Sequence, residues 1–313
     1  MDNKTVWVTG AHGFLGRNLC RYLSGHDFRV VGIGHGHWNP GEAQEWGINQ
    51  WFFSDIHLAA LYDLESKLGR PEAIFHTAGG SSVPLSVENP YLDYQRTVGT
   101  TIDVLEFVRI KSPETKVIYP SSAAVYGSVD KGRISEDTPL RPVSPYGIHK
   151  QIVELLCGSY ATHFGVKVLL IRFFSLYGNG LTKQLLWDLC CKFEKKEGEI
   201  ILHGTGDEVR DLLHIDDAVR LMGIALDKAS ARYAPVNGGT GIGTTVREIA
   251  EEVRNAFDTT RIVKFNGIVR EGDPKFYQAD TNRLESWGWR PLRDWRNSIR
   301  DYVSWFKETR GLL

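Results

Sequence analysis

Residues 9–16, Thr9-Gly10-Ala11-His12-Gly13-Phe14-Leu15-Gly16 (TGAHGFLG), follow a short β-branched run and open a segment of helical periodicity. The spacing of Gly10, Gly13 and Gly16 lets the backbone turn tightly and approach a diphosphate at the N-terminus of the helix. A tight turn with no ligand uses glycine in the same way, so the loop alone specifies only strand, loop and helix.

The rest of the first half repeats that rhythm. Thr5 to Thr9, Arg29 to Gly32, Ala73 to Thr77, Lys116 to Pro120 and Lys167 to Arg172 read as strands, apolar throughout, which suits a parallel sheet covered on both faces. Helical segments between them predict an α/β fold with a doubly wound parallel Rossmann sheet. One helix is especially legible. Ser144 can cap it, Pro145 suits its first turn, apolar residues recur at Ile148, Ile152, Leu155 and Leu156, and Gly165 ends it. Beyond Ser175 the rhythm loosens into turn clusters and a Trp-rich tail from Trp287 to Trp305. The expected division is a dinucleotide-binding domain over 1–174, with a return of 212–240, and a smaller α/β substrate lobe over 175–313.

Composition narrows the class. A formal net charge of −1 over 313 residues argues against a general nucleic-acid or membrane-surface binder. No apolar run is long enough to span a membrane, and the polar start does not read as a signal peptide, so a cytoplasmic protein is expected. Cys20, Cys157, Cys190 and Cys191 lack metal-ligand spacing and read as reduced thiols, and no metal is expected.

Three features carry chemistry. Tyr146 and Lys150 lie four apart on the helix after Ser144 and share a face; an ammonium near a phenol lowers its pKa, although a surface pair has the same spacing. Ser121 and Ser122 end a strand at the carboxyl edge of the sheet, where open α/β folds bind ligands. The third is Val30 to His37 (VVGIGHGH), which ends the second strand. A carboxylate there would bind the adenosine ribose of NAD and repel the 2'-phosphate of NADP. Gly34 removes that repulsion, and His35, His37 and His12 could donate to a phosphate. The stretch favours NADP, with NAD possible if the loop binds through its backbone.

In order and spacing these segments, together with HTAGG, RFFSLYG, GTGDEVRDLLHIDD and REGDP, resemble the extended short-chain dehydrogenase/reductase family of nucleotide-sugar epimerases, dehydratases and reductases. The resemblance runs nearly end to end. It implies a catalytic trio of Ser122, Tyr146 and Lys150. It implies that Gly10, His12, Gly13, Phe14, Leu15, Gly34, His35, His37, Asp55, Ile56, Thr77, Ala78, Gly79 and Phe173, with Tyr146 and Lys150, line the cofactor site. It further implies a nucleotide-sugar substrate held by Ser81, Ser122, Ala123, Ser175, Lys183, Gln184, Arg210, Arg270 and Asp273, and a homodimer pairing the segments Tyr91 to Arg109 and Pro145 to His163. Thr97 and Ser175 depart from the family pattern, standing where relatives carry Asn.

Relatives that eliminate water place acids after the catalytic hydroxyl, where this chain has Ala123 and Ala124, and a methyl group cannot transfer a proton. The expectation is therefore an NADPH-dependent reductase of a nucleotide-linked 4-keto-6-deoxyhexose. The alternative is a UDP-hexose 4-epimerase with tightly bound NAD, and a non-catalytic dinucleotide sensor is disfavoured by the intact trio.

Overall fold

The computed structural model describes residues 4–195, 198–257, 259–268 and 274–312. Twelve strands are described: β1 (Thr5–Thr9), β2 (Arg29–Gly34), β3 (Gln50–Phe53), β4 (Ala73–His76), β5 (Lys116–Ser122), β6 (Val168–Phe173), β7 (Ser175–Tyr177), β8 (Ile200–Leu202), β9 (Val209–His214), β10 (Val236–Gly238), β11 (Gly243–Thr245) and β12 (Val263–Phe265). The chain divides into two compact units, one of Met1–Gly127, Pro139–Arg172 and Val219–Val236, the other of Ser128–Thr138, Phe173–Ala218 and Asn237–Leu313.

The seven-stranded sheet has the order β10-β6-β5-β4-β1-β2-β3. The β1–β2, β1–β4, β2–β3 and β4–β5 ladders are parallel. Chain order reverses between β1 and β4, the place in an open α/β sheet at whose carboxyl ends ligands bind. Trp7, Val31, Ile74, Leu105, Val117 and Leu170 belong to the core of this unit. The doubly wound sheet is as the sequence predicts; β3 was not anticipated, because QWFF is a short edge strand with no fully buried residue to mark it.

The helix after Ser144 runs Pro145–Phe164, with Ser144 accepting from Gly147 N and Gly165 left-handed at its end. Its inward face differs from the apolar stripe in the sequence. Ile148 and Leu155 are 44% and 68% exposed, whereas Lys150, Val153, Glu154, Cys157 and Ala161 are buried. The polar members of that face can be buried because each is paired. Glu154 accepts from Ser121 Oγ at 2.6 Å and from Arg172 Nη2 at 2.7 Å, and Arg172 Nη1 donates to the Tyr126 hydroxyl at 2.9 Å.

In the second unit the sheets are β11-β9-β7 and β12-β8. Leu189, Ile249, Val253, Ile299, Tyr302 and Phe306 form its core. The Trp-rich tail becomes the helix Trp295–Thr309, packed on the helix Val246–Ala256, which Thr245 and Glu248 open with a reciprocal capping box.

The Glu154–Arg172 pair gives a direct test of what holds the first unit together. Arg172→Met should leave a buried carboxylate without its cation and cost roughly 3–5 kcal/mol, read from the urea midpoint. A loss below about 1 kcal/mol would show that Glu154 does not depend on the arginine.

Candidate active site

The glycine loop fits a dinucleotide on steric grounds. Gly10 has φ +64°, and a Cβ there would lie 2.7 Å from Ala78 N, so the loops after β1 and β4 touch backbone to backbone. A Cβ on Gly16 would stand 2.3 Å from Gly10 O. Gly13 caps the helix Phe14–Ser24 with no side-chain hydrogen bond and no acid follows in the first turn, which leaves that end electropositive beside Phe14 and Leu15. Thr77 Oγ1 donates to Thr9 O at 2.6 Å, and Ala78 N to Thr9 Oγ1 at 3.2 Å, tying the second loop to β1. Gly79 follows with φ +144°.

Each of the three histidines named with Gly34 has a partner within the protein. His35 Nδ1 lies 3.1 Å from Asp55 Oδ1, both side chains exposed, and the His37 ring stacks on Phe53. His12 Nε2 bonds His37 O at 3.1 Å and its ring meets the edge of Trp38; burial, then the charge of Arg17, lowers its pKa. Gly34 is buried, and a Cβ there would sit 3.3 Å from the ring of Trp51, so packing also asks for glycine. Ile56 is buried beyond Asp55. The sequence reading missed Arg17, one residue past the last loop glycine. Its guanidinium donates to His12 O at 2.6 Å and lies over Trp38 and Trp46, placing a cation beside the loop.

Ser122, Tyr146 and Lys150 come together in the same unit. Ser122, the last residue of β5, accepts from Ala124 N at 3.2 Å. Burial pushes the Tyr146 phenol above its ordinary value, and the nearby Ser122 hydroxyl works against the rise. Tyr146 N donates to Ser86 Oγ at 3.0 Å, fixing the first turn of its helix. The Lys150 ammonium is 5.8 Å from the Tyr146 ring centre but donates to the Tyr119 hydroxyl at 2.9 Å and to Pro120 O at 3.0 Å. Burial pulls Lys150 down to about 8 against the pull of Asp93 and Glu154. Ala123 is buried, and Ser81 is exposed in the loop after β4.

Thr97 lies in a π-helical turn, Gln95–Gly99, and its hydroxyl accepts from Gly80 N at 2.8 Å. A threonine therefore still ties this turn to the loop after β4.

Ser175, Lys183, Gln184 and Arg210 line one cavity of about 580 Å³ within the second unit, with Tyr177, Glu208 and Tyr302. Lys183 is half-buried, which lowers its pKa, and Gln184 has φ +68°, an uncommon conformation for a residue with a side chain. Arg210 Nη1 donates to Val209 O at 3.0 Å and Pro274 O at 2.7 Å. Phe173 is buried at the end of β6. Arg270 and Asp273 lie outside the described residues.

Comparison with known proteins agrees with this geometry. The profile of the NAD dependent epimerase/dehydratase family matches residues 6–237. A UDP-glucose 4-epimerase of Azospirillum brasilense is 28% identical, covering 96% of this chain and 91% of its own. The structure of UDP-glucuronic acid 4-epimerase from Bacillus cereus with UDP-glucuronic acid and NAD superposes with a TM-score of 0.86 at 25% identity, over 97% of this chain and 99% of the other. UDP-glucose 4-epimerase of Thermotoga maritima with UDP-glucose gives 0.86 at 25% identity, over 98% and 99%. With its glycine loop, its Ser-Tyr-Lys cluster and a match over most of its length, the chain belongs to the NAD dependent epimerase/dehydratase family of extended short-chain dehydrogenases/reductases.

Proposed function

We propose that the protein is a nucleotide-sugar 4-epimerase acting on a UDP-linked hexose, with NAD as the resident dinucleotide. The observation that carries this reading is the Tyr146 phenol under the influence of Ser122 and beside a buried Lys150, in a chain whose similar proteins are mainly UDP-sugar 4-epimerases. The dinucleotide supplies reversible acceptance of a hydride. Ser122 and Tyr146 address one sugar oxygen; Tyr146 removes the hydroxyl proton as the carbonyl forms and returns it when the carbonyl is reduced. The positive charge of Lys150 stabilises the phenolate. Ala123 and Ala124 supply no acid for elimination.

In this reading the first unit holds the dinucleotide, through the loops at Gly10–Leu15 and Thr77–Gly79, with Asp55 and Ile56 on the adenosine side. The second unit takes the nucleotide half of the substrate, with Ser175, Lys183, Gln184 and Arg210 around its cavity and Arg270 and Asp273 as further candidates. An arginine fork and a lysine suit a diphosphate. A second reading, an NADPH-dependent 4-keto-6-deoxyhexose reductase, is favoured by one observation: Gly34 offers no carboxylate against a 2'-phosphate, and Arg17 lies beside the loop. The similar structure with NAD at 25% identity supports the first.

A homodimer is also proposed. Leu85, Val87, Tyr91, Tyr94, Ile148 and Leu155 are exposed on three helices that pack on one another, Val83–Glu88, Pro90–Tyr94 and Pro145–Phe164. A second copy covering this apolar face accounts for the outward stripe.

Denaturing the purified protein and identifying the released dinucleotide, then supplying UDP-glucose without added cofactor, tests the function. Released NAD and formation of UDP-galactose or another 4-epimer are expected; NADPH consumption only with a 4-keto sugar would transfer the assignment to the reductase. Tyr146→Phe should lower kcat by about 10²-fold or more with dinucleotide affinity retained, and retention of over a tenth of the activity would remove Tyr146 as the proton carrier. Gly16→Ala should displace the loop and weaken dinucleotide binding at least about tenfold by calorimetry; unchanged affinity would show that the loop tolerates the methyl. Leu155→Glu should turn a dimer into a monomer in sedimentation, and a monomeric wild type would end the dimer proposal.

A further inference from the structure

Beneath the Ser122, Tyr146 and Lys150 cluster lie fully buried polar groups that its roles leave unused: Tyr119, Thr101, His76 and Thr9. Counting hydrogens fixes the direction of the bonds that join Thr101, His76 and Thr9. Thr101 spends its one hydroxyl hydrogen on Thr97 O, at 2.6 Å. The His76 Nε2 facing Thr101 Oγ1 at 3.2 Å must therefore carry the hydrogen. Thr100, 3.3 Å from the same nitrogen, likewise donates elsewhere, to Arg96 O at 2.7 Å. His76 Nδ1 is then an acceptor and takes the Thr9 hydroxyl at 2.7 Å, while Thr9 Oγ1 accepts from Ala78 N. Burial, and then the charge of Lys150, pulls His76 down to about 3, so it stays neutral at working pH.

Tyr119 stands beside this chain, its ring centre 5.7 Å from that of His76. An ammonium can only donate, so the Tyr119 oxygen accepts from Lys150 Nζ at 2.9 Å. We propose that Tyr119 is a positioning residue that holds the Lys150 ammonium in place for the Tyr146 phenol. This rests on the reading of Lys150 as a member of the catalytic trio. The groups facing Lys150 are Tyr119 and Pro120 O from β5, Tyr146 and Glu154 from its own helix, Asp93 from Pro90–Tyr94 and His76 from β4. The two carboxylates favour the ammonium and burial opposes it. An acceptor at hydrogen-bond distance favours the charged form further, so its loss must lower the pH at which Lys150 gives up its proton.

The test uses full-length Tyr119→Phe. The Lys150 amine is titrated by heteronuclear NMR in the ligand-free protein, its signal assigned by disappearance in Lys150→Met. In Tyr119→Phe the Lys150 midpoint should fall by about half a pH unit or more, and the alkaline limb of kcat should move down with it. The KM for nucleotide sugar should stay within about twofold. A folded Tyr119→Phe protein with an unmoved Lys150 titration overturns the proposal, as does a loss of kcat at every pH without a shifted limb. A wild type that turns over no UDP-hexose would count against the function proposed above, while the Lys150 titration would still report on Tyr119.

Discussion

The chemistry of the first unit depends on a polar helix face buried against strand β5. Lys150 and Glu154, one turn apart on the helix Pro145–Phe164, both point into the sheet side of the protein, where water cannot compensate them. Each is held by groups that β5 presents: Tyr119 and Pro120 O for the ammonium, Ser121 for the carboxylate, with Arg172 from β6 completing the pair. Because these bonds join the helix to the strand that ends in Ser122, they also fix where Tyr146 stands relative to Ser122. Apolar packing alone would permit the helix to slide by a fraction of a turn; paired buried charges do not, since a displaced partner leaves the other unsatisfied.

The same constraint explains the outward direction of Ile148 and Leu155. A helix has a limited face to bury, and here the inward arc is occupied by the groups that build the site. Ile148 and Leu155 therefore lie on the arc that remains and are exposed, as are Tyr91 and Leu85 on neighbouring helices, while Val153, Cys157 and Ala161 share the inward arc with the polar groups. Site construction and the exposure of an apolar surface are two consequences of one rotation about the helix axis.

On the cofactor side, Gly34 carries two separable pieces of physics. The ring of Trp51 lies against the place where a side chain would start, and the lack of a carboxylate removes repulsion of a 2'-phosphate. The first operates in the protein alone, so glycine at this position is not by itself a signature of NADP. The histidines beside it are engaged with Asp55, Phe53 and Trp38.

Much of the fold was legible in the sequence because its signals are local. The glycine spacing after β1, the apolar strands, and Ser144, Pro145 and Gly165 around the long helix each act within a few residues, and the structure places them where these signals put them. Tyr146 and Lys150 sharing a face follows from helix geometry alone. Edge strand β3 escaped because four half-exposed residues carry no pattern, and Arg17 because its aromatic neighbours are 21 and 29 positions away in sequence. Tertiary structure alone decided which arc of that helix is buried, that the ammonium of Lys150 rests on Tyr119, and that Thr9, His76 and Thr101 form one directed chain. Those outcomes depend on hydrogens and lone pairs brought together from β1, β4, β5 and two helices, and a polar group reveals whether it can be buried only when its partner is in place.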